Sequence, residues 1–139
     1  MIVLDTNVVS EPWRSRPSPA VIAWMRAQPT TALFTTAITE AELLYGAALL
    51  PSGRRRRSLE TEIEQALSED FLGRVLPFDS SAAREYARIM SSRRSTGRPI
   101  AQADAQIAAI ARSRGAMVAT RNAGDFSDCG IDVMSPWTP

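Results

Sequence analysis

Ile2-Val3-Leu4-Asp5-Thr6-Asn7 is the stretch from which the rest of the chain is read. Three apolar residues, two of them β-branched, suit a short buried strand, and the run stops at a carboxylate followed by two small polar residues. An acid so placed stands at the carboxyl end of a strand. In an open α/β sheet ligands bind in the crevice outside those ends, which makes Asp5 a candidate site residue. Asp5 is equally placed to cap a helix starting near Val8. What decides between the two is whether other acids converge on it.

Working outward, apolar runs alternate with helical patterns. Ser18-Pro19 reads as an N-cap with proline at the first helical position, and Val21, Ile22, Trp24 and Met25 carry a helix to Pro29. Ala32 to Thr36 reads as a second strand leading into a helix from about Thr39 to Leu50. There Ile38, Glu42, Tyr45 and Leu49 share a face, putting Glu42 in line with apolar neighbours. Thr39 and Glu42 also have the spacing of a capping box, an alternative that stays open. After the turn at Pro51-Ser52-Gly53 come four consecutive arginines, Arg54, Arg55, Arg56 and Arg57, opening a charged helix to about Ser68. Pairing of Arg56 with Glu60 favours a solvated face. Their position at a helix start, where they do not help the macrodipole, keeps them candidates for contact with phosphate.

Arg74-Val75-Leu76 reads as a third strand, and Asp79 or Ser80 caps a helix fading at Ser95-Thr96-Gly97. Pro99 is expected to open the next helix, whose apolar arc is Ile100, Ala103, Ile107, Ile110 and Ala111, with Asp104 at its edge. Gly115 ends that helix, Ala116 to Thr120 reads as a fourth strand, and Ile131 to Met134 as a short fifth. The expected fold is a single α/β domain over residues 1–139: a short parallel central sheet of about four to five strands flanked by helices.

With 139 residues, 45% of them hydrophobic and 22% charged, the chain fits one globular domain. No basic leader followed by a long apolar stretch is present, nor a run long enough to cross a membrane, so a cytoplasmic protein is expected. Cys129, the single cysteine, rules out an internal disulfide or a cysteine-rich zinc site. The absences narrow the chemistry further. Without histidine there is no imidazole base or ligand, and all sixteen basic residues are arginine, which excludes lysine Schiff bases and a Walker-type lysine. Enzymatic chemistry therefore falls to carboxylates, hydroxyls and a hard metal ion. A net charge of +1 means that nucleic-acid binding would rest on a local arginine patch.

The alternation of strands and helices decides which acids share an edge. Asp5 ends the first strand, Glu42 lies in the first turn after the second, and the helix bearing Asp104 runs back towards the start of the fourth. Asn122 and Asp125 follow that strand at the same edge. Clustered carboxylates repel one another unless a cation joins them, and oxygen-only ligands favour Mg²⁺ or Mn²⁺ over zinc. Such a site suits phosphodiester hydrolysis.

Ile2-Val3-Leu4-Asp5-Thr6-Asn7, Ile38-Thr39-Glu40-Ala41-Glu42-Leu43-Leu44-Tyr45-Gly46, Gly97-Arg98-Pro99-Ile100 leading to Asp104, and Ala119-Thr120-Arg121-Asn122 with Asp125-Phe126 together resemble a PIN domain of the VapC toxin type. The likeness covers essentially the whole chain and lies in the four motifs taken in series. It implies a Mg²⁺-dependent endoribonuclease in which Asp5, Glu42 and Asp104 form an acidic triad, with Asp5 and Asp104 as metal ligands and Mn²⁺ as a substitute. Asp125 is the candidate fourth acid, since Asn122 stands where the family often has one. Thr6, Asn7, Thr120 and Asn122 are the expected supporting polar groups. The resemblance further implies an RNA substrate, a homodimer, a cognate antitoxin and no membrane association.

Two rival enzymes fit less well. A phosphatase with Asp5 as acyl-phosphate nucleophile wants a second aspartate where Asn7 stands, and a lysine; a receiver domain fails on the same lysine. A non-enzymatic RNA- or partner-binding module with a degenerate site requires that Asn122 has disabled metal binding.

Overall fold

The computed structural model describes residues 1–139. Five strands form one parallel sheet: β1 (Ile2–Leu4), β2 (Leu33–Thr36), β3 (Val75–Leu76), β4 (Met117–Ala119) and β5 (Val133–Met134), in the order β3-β2-β1-β4-β5. The opening stretch thus supplies the central strand. Val3 aligns with Phe34 on one side and Val118 on the other.

Alternation along the strand divides the core in two. Val3 and Val118 face a cluster completed by α5 (Ser80–Ser95) and α6 (Gln102–Ser113), through Ala82, Ile89, Ile107 and Ile110. Leu4 and Ala119 face the other way, onto Val8 and Val9 of α1 (Thr6–Ser10), Val21 of α2 (Pro19–Ala27), Leu43 and Ala47 of α3 (Ala37–Ala48) and Ile63 of α4 (Arg54–Gln65). Each fully buried Ile or Val contributes about 1.5–3 kcal/mol. Because both faces are covered, the strands read as continuous apolar runs.

Several expected boundaries move, each for a local reason. The first helix begins at Thr6 rather than near Val8, since Asp5 is its cap. The cap of α3 is Thr36, whose hydroxyl accepts from the Thr39 amide at 3.1 Å. That bond occupies the amide on which a capping box would close, so Glu42 does not reach back to it. The Tyr45–Leu49 line faces solvent, at 67% and 66% exposure, and the buried face of α3 is Thr39, Leu43 and Ala47. The charged helix leaves regular α geometry after Gln65 and closes in a π turn, Ala66–Asp70, that brings the Phe71 amide to Ala66 O and Phe71 into the core. Pro99 does not open α6: Ala101 caps it, and the extended residues before it let Ile100 reach the core. Gly115, at φ +65°, ends α6 in the left-handed conformation. No helix is long and apolar enough to cross a membrane.

Candidate active site

Parallel pairing brings the ends of β2, β1, β4 and β5 to one edge, and the chain places acids along it. Asp5 follows β1 directly, and its amide donates to Ala119 O of β4 at 2.9 Å. It does cap α1, accepting the Thr6 amide on Oδ1 at 2.8 Å. Its second oxygen accepts the Thr120 hydroxyl at 2.7 Å. Capping and site placement are therefore compatible readings of one side chain. Asp5 is 6% exposed, and burial raises its pKa against the lowering effect of those two hydrogen bonds, with Asp125 adding a smaller upward push.

Glu42 lies on the first half of α3 and accepts the Thr6 hydroxyl at 2.8 Å. Thr6 Oγ1 is also 3.0 Å from Thr39 Oγ1. With the Thr6 proton directed at Glu42, Thr39 is the donor of that second bond, which makes a hydroxyl chain Thr39 to Thr6 to Glu42. Thr39, read from sequence as a helix cap, instead backs the site; its full burial in a polar pattern was the available sign only once the fold was known.

Asp104 projects from the first turn of α6. A carboxylate there gains about 0.3–1 kcal/mol from the helix amino terminus. The opposing effects are larger: partial burial first, then the charges of Asp5, Asp125 and Glu42, lift its pKa from 3.8 to about 6. Asp125 sits in the 3-10 turn Ala123–Phe126 after β4. Neither the Asp104 nor the Asp125 carboxylate accepts a hydrogen bond, and none of the four acids forms an ion pair with any of the sixteen arginines.

The polar neighbours divide by role. The Asn122 amide donates to Thr120 Oγ1 at 3.2 Å, so Asn122 acts through its backbone and orients the hydroxyl that holds Asp5. Asn7 accepts the Arg121 amide on Oδ1 at 3.2 Å, tying α1 to the turn after β4.

The acids meet the electrostatic requirement of a cation site, yet no three of them close on one point as a ready-made cage. Mg²⁺ demands no such cage, because it keeps several waters and is held by one or two carboxylates. The donor set is all oxygen, two of its carboxylates are without partners, and the charges of Asp5, Asp125 and Glu42 add to burial in raising the Asp104 pKa; these residues fit a hard divalent ion. Concavities elsewhere on the molecule include one of about 430 Å³ beside Arg112 and Gly130 and one of about 990 Å³ lined by Trp13, Arg14, Arg54 and Arg55, neither lined by any of the four acids.

The arginine run is split by the structure. Arg56 pairs with Glu60 at 3.3 Å and also reaches Leu50 O. Arg54 and Arg55 are exposed on the second concavity, and Arg57 points to solvent outside it.

Arg93 went unnoticed in the sequence. It lies within α5, is 6% exposed, and donates to Arg98 O at 2.7 Å, Asp125 O at 3.1 Å and Ser127 O at 2.9 Å. One buried guanidinium thereby joins the segment leading to Asp104 with the turn carrying Asp125.

Comparison with known proteins places the fold in a family. Residues 2–130 match the PIN domain family. The chain is 46% identical over 139 residues, all of it and 99% of the relative, to VapC ribonuclease Y4jK of Sinorhizobium fredii. Its fold is similar to FitAcB from Neisseria gonorrhoeae at a TM-score of 0.93 and 43% identity, covering 99% of both chains. It is also similar to VapBC-5, a member of the VapBC family of toxin-antitoxin systems from Mycobacterium tuberculosis, at a TM-score of 0.71 and 28% identity, covering 96% of this chain and 94% of the other.

Proposed function

The chain belongs to the PIN-domain family, and on that premise we propose that it is a Mg²⁺-dependent endoribonuclease, the toxic member of a toxin-antitoxin pair, that hydrolyses RNA phosphodiester bonds at the Asp5, Glu42, Asp104 and Asp125 edge. The observation that carries this reading is the gathering of four acids at one sheet edge with no arginine paired to any of them, where burial first and then the charges of Asp5, Asp125 and Glu42 lift the Asp104 pKa to about 6. Asp5 and Asp104 would hold Mg²⁺, or Mn²⁺ in its place, and the ion would supply a water of lowered pKa and offset charge on the phosphate and leaving oxygen. The chain's own residues prepare the site: Thr120 and the Thr6 amide fix both oxygens of Asp5, and Thr6 turns Glu42 toward the edge. Glu42 and Asp125 complete the negative field, and a carboxylate oxygen of one of them takes the single proton that an attacking water loses, the role histidine or lysine fills in other nucleases. A degenerate binding module is disfavoured because Asp125 stands in the field of Asp104 even though Asn122 is uncharged. A homodimer and a cognate antitoxin that covers the acid edge belong to the same proposal, as do Arg54 and Arg55 as outlying RNA contacts.

Purified protein is expected to cleave single-stranded RNA in Mg²⁺ or Mn²⁺ and not in chelator, and millimolar Mg²⁺ is expected to raise its melting temperature more specifically than Zn²⁺ does. Intact RNA together with an unshifted melt in Mg²⁺ would overturn the proposal.

Thr120→Val tests the support of Asp5. Losing the hydroxyl leaves a buried carboxylate oxygen without its donor, so the Asp5 pKa rises further, and metal affinity is expected to fall about 10–100-fold. Titration of the melting shift with Mg²⁺ reads this directly. An unchanged titration would mean that Thr120 serves packing alone.

A further inference from the structure

Arg121 follows Thr120 at the end of β4, and its guanidinium carbon lies 5.3 Å from the ring centroid of Trp137. Trp137 comes from the turn after β5, the strand beside β4, and is half-buried against the core that contains Leu4, Val8 and Ala119. Both ends of this contact are fixed. The Arg121 amide is held by Asn7, the Thr120 amide by Met134 O, and the Trp137 amide by Ser135 Oγ. Arg121 is exposed and takes part in no ion pair.

An arginine stacked on an aromatic face has its plane set and its edge donors free, and that fork matches the oxygens of a phosphate. The location gives the fork a use. A polyanion approaching four carboxylates is repelled everywhere except at the metal, and a strand cleaved there must continue past the acids. Arg121, directly after Thr120 at the end of β4 and tied by its amide to Asn7, brings a cation to that edge. We propose that Arg121, held on Trp137, contacts a phosphate of single-stranded RNA next to the cleaved bond and so positions the strand across the acid edge. The inference rests on the ribonuclease reading and names a substrate-binding residue for it. Arg121 is a contact residue and Trp137 a positioning residue that acts through it.

The test measures binding and cleavage separately. Fluorescence anisotropy of a labelled single-stranded RNA oligonucleotide in chelator, across a series of salt concentrations, is compared for wild type, Arg121→Gln, Arg121→Lys and Trp137→Leu, with melts to show that each is folded. Arg121→Gln is expected to weaken binding about tenfold at low salt, and to reduce the slope of log affinity against log salt by about 0.7, the share of one phosphate contact. Arg121→Lys keeps that slope while losing part of the affinity, because the charge remains and the fork does not. Trp137→Leu likewise keeps the slope and loses affinity, which packing damage alone does not predict. In Mg²⁺, Arg121→Gln raises KM and leaves kcat nearly unchanged.

Wild-type affinity and slope in Arg121→Gln would overturn the proposal, and would be the result if Arg121 instead holds a carboxylate of a protein partner. Loss of kcat with binding intact would overturn it too. Wild-type protein that binds RNA with an Arg121-dependent slope but leaves it uncut in Mg²⁺ would uphold the contact and remove the ribonuclease reading, so the two failures are distinct.

Discussion

Asp104→Asn is expected to abolish RNA cleavage and, in chelator at pH 7, to make the protein more stable than wild type. The two effects have one cause. Burial and the charges of Asp5, Asp125 and Glu42 hold the Asp104 pKa near 6, against 3.8 for the free side chain. A raised folded pKa means that the folded protein binds the proton more tightly than the unfolded chain does. The ionised form is then a burden on the fold above pH 6, and the burden is lifted as pH falls through 6 towards 3.8. Asparagine has the shape without the charge, and so is expected to gain about 1–2 kcal/mol at pH 7, after allowance for the partial exposure of the group. The gain should shrink at pH 5 and vanish only below the free value of 3.8. Cleavage should fall at least about 100-fold, with loss of the Mg²⁺-induced rise in melting temperature, because the substitution removes a ligand. Denaturant melts in chelator at pH 7 and pH 5, beside an RNA cleavage assay, read all of this. A destabilised but active Asp104→Asn protein would sink the metal-site assignment, since it would mark Asp104 as a structural acid.

Much of this arrangement is legible in the order of residue types, and the exceptions share a physical character. Ile2-Val3-Leu4 and Met117-Val118-Ala119 are continuous apolar runs because both faces of their sheet are covered, and such runs announce a parallel sheet whatever surrounds them. Asp104 stands out for a similar reason: an acid beside a buried helical stripe conflicts with its periodicity. Local ambiguities were harder. Thr36 and Thr39 are both good caps, and only the end of β2 at Thr36 selects the first. Glu42 satisfied a local pattern and a distant one equally, and the partner that wins, the Thr6 hydroxyl, is 36 residues away in the chain. Ile38, Glu42, Tyr45 and Leu49 do share a helical face, but periodicity does not say whether such a face meets the core or solvent. Arg93 left no trace, and Arg121 stands inside the motif Ala119-Thr120-Arg121-Asn122 with nothing in the sequence to give it a role. Arginine is ordinarily exposed, and what sets these two apart is a cluster of carbonyls in one case and an indole in the other, each assembled by tertiary structure.

Arg93→Met is expected to destabilise the protein by about 3–4 kcal/mol and to loosen the acid edge from behind. The side chain is buried with no carboxylate partner, a placement tolerated because its donors meet Arg98 O, Asp125 O and Ser127 O, with Cys129 Sγ at 3.6 Å. Methionine keeps the apolar stem but leaves Arg98 O and Asp125 O without the guanidinium and Ser127 O with only the Cys129 thiol at 3.6 Å, at about 1–3 kcal/mol for each carbonyl that neither another donor nor water reaches. Lysine keeps the charge, although its single ammonium cannot span acceptors on two segments, so Arg93→Lys should recover only part of the loss. Denaturant melts give the magnitude; a change below about 1 kcal/mol would show that the carbonyls find other partners and that the guanidinium is not the tie. The consequence for the site is separable from stability. Arg93 reaches the edge through the backbone of Asp125, so a loosened turn should lower cleavage well below the melting temperature. Once Asp125→Asn has removed the carboxylate that the turn presents, Arg93→Met should have much less left to disturb. A cycle of Arg93→Met, Asp125→Asn and the double variant is therefore expected to be non-additive for cleavage while the stability changes, whatever the sign of each, add. Additive cleavage losses would confine Arg93 to holding the fold.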